Sequence, residues 1–230
     1  ANGNTAVTTG TVNQPAALTT SSSTGTISCN GGSTNVNITA NGGTAPYTVN
    51  GTGINGSSSL VNGNGSFSLV AGPYSYTVTD ANGCKSVVSG TMTQPTVLTA
   101  NASAGTILGN GLTTTVSITA NGGTPAYTGT GTFTVGAGPY SFTVTDARGC
   151  LVVVTGTLTQ PSLLVASSSH NSVICNGGTA TVAVTANGGV GPYTGTGIYT
   201  VTAGAYSYTV TDANGNTAVT TGTVNQPAAL

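Results

Sequence analysis

The sequence predicts an all-β fold: tandem immunoglobulin-like β-sandwich modules in an elongated array. Three observations predict it. One block recurs at a fixed spacing, apolar and polar residues alternate inside each block, and Gly, Pro or Asn-Gly interrupts the alternation at short intervals. Strands with turns about every 8–12 residues are the signature of a sandwich.

The repeat is explicit. TVTDANGC at 77–84 returns as TVTDARGC at 143–150 and TVTDANGN at 209–216, so the chain's three acids, Asp80, Asp146 and Asp212, lie 66 residues apart both times. NGGTAPYT (41–48), NGGTPAYT (121–128) and NGGVGPYT (187–194) keep step, as do the endings TQP (93–95, 159–161) and NQP (13–15, 225–227). Residues 1–18 are identical to residues 213–230. The expected organisation is therefore 1–15 as the last strand of a preceding module, then modules at 16–95, 96–161 and 162–230. The first module carries ~14 extra residues near 49–70. The exact 18-residue identity is expected of a window on a longer, continuous array. Strand donation to a neighbour is the alternative.

Within a module each element has its own signal. NVNITANGG, TVSITANGG and TVAVTANGG alternate and stop at Asn-Gly-Gly, reading as strand then turn. YSYTVTD, YSFTVTD and YSYTVTD alternate again and enter A-N-G or A-R-G, a hairpin signal. KSVVSGTMTQP, LVVVTGTLTQP and TAVTTGTVNQP read as a last strand closed by proline. β-branched residues and frequent Gly and Pro disfavour helix throughout. Roughly seven short strands per module are expected.

Composition excludes several partner classes. Charged residues make up 2% of the 230, against about 25% in an ordinary soluble domain. The two bases, Lys85 and Arg148, are too few to displace counterions from nucleic acid or to form a basic membrane-surface patch. No apolar run approaches a membrane span, so no membrane insertion is expected of this segment. Thr, Val and nine Tyr distinguish the chain from disordered sequences.

Catalytic chemistry needs convergent groups, and one carboxylate per module cannot supply them, so the chain is not expected to be an enzyme. His170, in SSSHNS, has no acid or cysteine near it in sequence. Asp80, Asp146 and Asp212 end a strand before a turn, where a carboxylate accepts backbone N–H bonds and fixes the turn. They are also weak candidates for calcium, which needs six to eight oxygens; no other cofactor is expected. Tyr74 with Tyr76, Tyr140 with Phe142, and Tyr206 with Tyr208 lie two apart on one strand face and read as core aromatics or a tyrosine corner. Exposed, they would instead bind sugar.

The four cysteines occupy an early slot (Cys29, Cys175) and a late slot (Cys84, Cys150). Their even number in small β modules favours disulfides and an oxidising, extracellular compartment. Three registers are open. Pairing within a module gives Cys29–Cys84; pairing a late slot with the next early slot gives Cys150–Cys175. Pairing an early slot with the next late slot gives Cys29–Cys150, joins Cys175 to the Cys84 equivalent of the next period, and sets Leu108 against Asn216. The last is favoured, because the two turns lie at opposite ends of a sandwich and the bottom of one module meets the top of the next. Cys29–Cys84 is the alternative.

The combined frame C-N-G-G, N-G-G-x-x-P-Y-T, A-G-P-Y-S-Y-T-V-T-D-A-N-G-C and T-Q-P resembles the SprB-type repeat of giant Bacteroidetes surface proteins, three times over essentially the whole chain. The chain departs from that pattern in having no Trp and in placing Leu108 and Asn216 where cysteines are expected. The resemblance implies a bacterial cell-surface adhesin exported by the type IX system. Together with the repeat it leads to an expected role as the structural repeat region of an extracellular filament or adhesin stalk. Its partners would be further copies of itself. The alternative is a repeated carbohydrate- or surface-binding module, with surface polysaccharide as partner, acting by avidity.

Overall fold

A computed structural model describes residues 2–53 and 58–229. The protein is all-β, built from antiparallel sheets, with no helix among the described residues. The chain divides into two compact units. The first comprises Ala1–Thr99, Asn121–Tyr127 and Thr145–Leu151; the second comprises Ala100–Ala120, Thr128–Val144 and Val152–Leu230.

In the first unit, strands β1 (Thr19–Thr24), β2 (Ser33–Asn41) and β5 (Asn64–Val70) form one sheet in the order β1-β2-β5. Strands β3 (Tyr47–Gly51), β4 (Ser58–Leu60), β6 (Gly72–Thr79) and β7 (Lys85–Met92) form another, β4-β3-β6-β7. Alternation decides which residues meet between them. Val36, Ile38 and Ala40 of β2 point inward with Leu69, against Val49, Leu60, Tyr74, Tyr76, Val78 and Met92 of the facing sheet. Asn35 and Asn37 point out. This is a two-sheet sandwich whose core is a period-2 pattern read off each strand.

The middle repeat supplies β8 (Thr99–Ala104), β9 (Thr114–Asn121), β10 (Tyr127–Thr128), β11 (Gly131–Val135), β12 (Gly138–Asp146) and β13 (Leu151–Leu158), in sheets β11-β9-β8 and β10-β12-β13. Its residues are shared between the two units. In the second unit, β14 (Val165–His170), β15 (Thr179–Asn187) and β16 (Gly197–Thr202) form one sheet, and β17 (Gly204–Thr211) with β18 (Thr217–Val224) the other. Val173, Ala180, Val182, Val184, Val210 and Val224 fill the space between them.

The expected seven strands are found in the first repeat alone; the second has six and the third five. The insertion accounts for β4, and in the third repeat the counterpart of β10 is reduced to an isolated bridge, Thr194↔Thr211. The insertion extends the strand that starts at Tyr47 and returns as β4, pairing Tyr47 with Leu60 and Val49 with Ser58. Residues 54–57 of that insertion lie outside the described residues. In the other repeats the chain after Tyr127 or Tyr193 meets Gly129 or Gly195, at φ +82° and +81°, and turns away at once.

The strand expected at 1–15 belongs with a preceding module, and its partner strand is not among the described residues. Residues 2–18 lie outside every strand, although the identical residues 214–230 include β18. β18 is a strand because β17 lies along it in register from Thr211↔Thr217 to Gly204↔Val224. Residues 5–12 have no such neighbour strand among the described residues.

Candidate functional site: the repeat junction

Each repeat builds the same clasp around its aspartate. The turn after β6 closes with Asp80 N donating to Cys84 O (3.0 Å) and Gly83 N to Asp80 O (3.0 Å). This leaves the Asp80 carboxylate facing N–H groups: Asn82 N (3.0 Å) and Cys84 N (2.8 Å) donate to Oδ1, and Thr44 N (2.9 Å) to Oδ2. Asp146 accepts in the same way from Thr124, Arg148 and Cys150. Asp212 accepts from Val190, Asn214 and Asn216. One carboxylate thus ties the late turn to the Asn-Gly-Gly turn. Gly43, at φ +63°, lets that turn approach so closely that a Cβ there would lie 2.7 Å from Asp80 Oδ2.

These donors hold each buried carboxylate in its charged form. Asp80 lies below its ordinary value chiefly through the Thr44 N–H. Asp212 does so chiefly through the Asn216 side chain. At Asp146 burial pushes upward, but the N–H groups of Thr124, Cys150 and Arg148, with the Arg148 charge, outweigh it. N–H donors suit an anion; calcium would need oxygens in their place. Among the described residues no three His, Cys, Asp or Glu side chains gather to hold a metal.

A second clasp was not read from the sequence. The early turn of each repeat binds the Gln-Pro that ends the same repeat. Asn30 Nδ2 donates to Pro95 O (2.9 Å) and Gly31 N to Gln94 Oε1 (2.7 Å). Asn110 and Gly111 do the same with Pro161 and Gln160, and Asn176 and Gly177 with Pro227 and Gln226. The signal was present: every early N-G is matched by a terminal Q-P.

The chain leaving Gln-Pro then enters the next Asn-Gly-Gly turn, where Gly123 N donates to Thr96 O (3.0 Å) and Gly189 N to Ser162 O (2.9 Å). The two clasps share one strip of backbone, so the early turn of one repeat meets the late turn of the next. In the first unit this joins Cys29 and Cys150 in a disulfide, with Cα atoms 5.7 Å apart. In the second unit Asn216 Nδ2 (2.9 Å) and Asn214 Nδ2 (2.8 Å) donate to Leu108 O, bringing Leu108 and Asn216 together at the equivalent place. Cys84 and Cys175 are free and exposed; the intra-module alternative Cys29–Cys84 is not formed.

The aromatics are distributed unequally. Tyr74 and Tyr76 are buried, whereas Tyr140, Phe142, Tyr206 and Tyr208 are half-buried, Tyr206 and Tyr208 packing against the core of the second unit. Leu60 of β4 belongs to the same buried cluster as Tyr74 and Tyr76, and the second and third repeats have no counterpart of β4. Each set stacks with a third ring: Phe67 on Tyr76 (5.1 Å), Phe133 on Phe142 (4.5 Å) and Tyr199 on Tyr208 (4.3 Å). Tyr74, Tyr140 and Tyr206 also cover Gly90, Gly156 and Gly222 of the last strand, leaving no room for a Cβ. A separate tyrosine, unread as such from sequence, closes the Asn-Gly-Gly turn. Tyr47, Tyr127 and Tyr193 hydroxyls donate to the carbonyls of Gly42, Gly122 and Gly188 at 2.7, 2.7 and 2.6 Å. His170 is exposed, beside Asn171 O (3.0 Å) and edge-on to Tyr206.

No family model matches the chain, and no curated protein matches it. Among solved structures it is similar to a 1.5-MDa bacterial ice-binding adhesin described for its retention at the host cell surface. Identity is 20%, 87% of this chain and 92% of that chain are covered, and the TM-score is 0.37. It is also similar to SGBP-B of the Bacteroides ovatus mixed-linkage glucan utilization locus, solved with a mixed-linkage heptasaccharide. Here identity is 16%, coverage is 84% of this chain and 64% of that chain, and the TM-score is 0.19. The chain therefore spans less than two thirds of SGBP-B. Likeness at this level assigns neither ligand nor partner.

Proposed function

We propose that this chain is the structural repeat region of an extracellular filament or cell-surface adhesin stalk, non-enzymatic and self-associating. The observation that carries the reading is where the chemistry-bearing side chains go. All nine Tyr and three Phe are buried or half-buried, and all three carboxylates are hydrogen-bonded within their own repeat. Little is left over for a substrate or an aromatic sugar platform. A disulfide supports an oxidising compartment outside the cytoplasm. The SprB-type motifs support a bacterial surface.

Lateral packing follows from the outer faces. Val87, Val153 and Val219 recur at 66-residue spacing on β7, β13 and β18 and are more than half exposed. Near-absence of charge removes the repulsion that keeps such faces apart. Immunogold labelling of intact source cells with antibody to this chain tests the reading; labelled fibres are expected, and label confined to lysed cells contradicts it. Binding of soluble chain to surface polysaccharide, abolished by substituting half-buried Tyr199 or Tyr208, would instead favour glycan recognition.

A further inference from the structure

The junction circuit is complete twice and divided once. In its complete form it runs from the early turn to Gln-Pro, on to the Asn-Gly-Gly turn, then to the Asp and the late turn. It does so from Cys29 to Cys150 and from Leu108 to Asn216. The third circuit begins at Cys175, beside the Asn176–Pro227 and Gly177–Gln226 clasps. The chain there continues as Gln226-Pro227-Ala228, the same sequence as Gln14-Pro15-Ala16. Ala16 already sits on the Asn-Gly-Gly turn (Gly43 N to Ala16 O, 2.7 Å), whose Thr44 reaches Asp80 and so Cys84. The shared sequence identifies the two halves as one junction.

We infer that Cys175 of one copy forms a disulfide with Cys84 of the next copy of the same 212-residue period, making a head-to-tail covalent staple at a junction that repeats the Cys29–Cys150 geometry. Both thiols are exposed, and each lies in the turn that its bonded counterpart occupies in the closed junction. The two junctions differ in chemistry for the same reason: Leu108 and Asn216 cannot oxidise, so they are held by hydrogen bonds alone. Between separate chains, Thr5–Val12 of one copy can take the place of the identical β18 on β17 of another. That exchange carries Gln14 and Pro15 onto the Asn176–Gly177 turn.

The oxidant is a small-molecule disulfide. One cysteine thiolate attacks it, forming a mixed disulfide and expelling one thiolate. The second cysteine thiolate then attacks the protein sulfur of that mixed disulfide and expels the other. Two protein thiols are oxidised, one small disulfide is reduced to two thiols, and the two protons given up by the cysteines end on the two expelled thiolates.

The test is incubation of the full chain in a reduced/oxidised glutathione couple, followed by alkylation, non-reducing electrophoresis and peptide mapping. A ladder of multimers carrying the Cys84–Cys175 peptide is expected. Cys84→Ser and Cys175→Ser each lose the ladder, and mixing the two variants restores a dimer and nothing larger. The Cys29–Cys150 peptide in every sample reports that the fold is intact. Cys84–Cys84 or Cys175–Cys175 peptides, a Cys84–Cys175 peptide confined to monomer, or no inter-copy peptide beside an intact Cys29–Cys150 overturns the staple. The inference rests on copies following one another. Filaments lacking this peptide would end the staple and leave the proposed function standing, whereas failure to associate under any redox condition would count against that function.

Discussion

A carboxylate surrounded by N–H groups is an acid-sensitive fastener. Asp80, Asp146 and Asp212 each titrate below the ordinary 3.8 in the folded protein. The unfolded chain therefore binds more protons as pH falls towards and through that value. The stability these groups contribute is fully present above it and is lost as pH drops through their lowered folded values. Thermal unfolding followed from pH 7 to pH 2 should show a falling Tm below about pH 4. The triple Asp→Asn variant, weaker at neutral pH, should show a flatter profile; an unchanged slope would contradict the clasp.

Tyr76 makes a contrary case: its hydroxyl is buried and, among the described residues, has no hydrogen-bond partner. Burial first, and then Tyr74 beside it, raise its pKa. Phe142 fills the same slot one repeat on without that oxygen. Tyr76→Phe should therefore leave stability unchanged or raise it by up to about 1–3 kcal/mol in chemical denaturation. A clear loss would mean the hydroxyl is satisfied in solution.

At the scale of elements, the strands and their facing were legible because period-2 alternation leaves one answer: a one-residue slip would bury Asn35 and Asn37 and expose Val36 and Ile38. The hairpins were legible from Asn-Gly. What escaped were contacts between segments far apart in sequence, each with only one residue as its signal. Gly90 reads as a weak point in a strand, yet its missing Cβ is the space that the Tyr74 ring fills. Gly90→Ala should displace that ring, a Cβ there lying 2.5 Å from the Tyr74 hydroxyl oxygen. The expected cost is about 1–3 kcal/mol in denaturant unfolding. A neutral result would show that the ring moves freely.

For the whole molecule, the repeat spacing was legible but the strand count was not, because β4 depends on the insertion and the β10 pairing shrinks to a single bridge, Thr194↔Thr211, in the third repeat. The junction was legible in part. Cysteine counting left three registers open, and closure depends on a strip of backbone, Gln94 to Thr96, that hydrogen-bonds on both sides. A 66-residue sandwich buries only about 60% of its unfolded surface and is marginal alone. Neighbour clasps and a covalent closure over a separation of 121 residues are the kind of support such units need.

If repeats follow one another through a recurring junction, order should appear along a fibre. Electron microscopy of filaments formed by the protein, with the axial period measured, is the most direct test. Three sandwiches stacked end to end predict a 212-residue period on the order of 100–120 Å. Discrete particles with no axial repeat, or a period bearing no relation to the length of three sandwiches, would contradict the account.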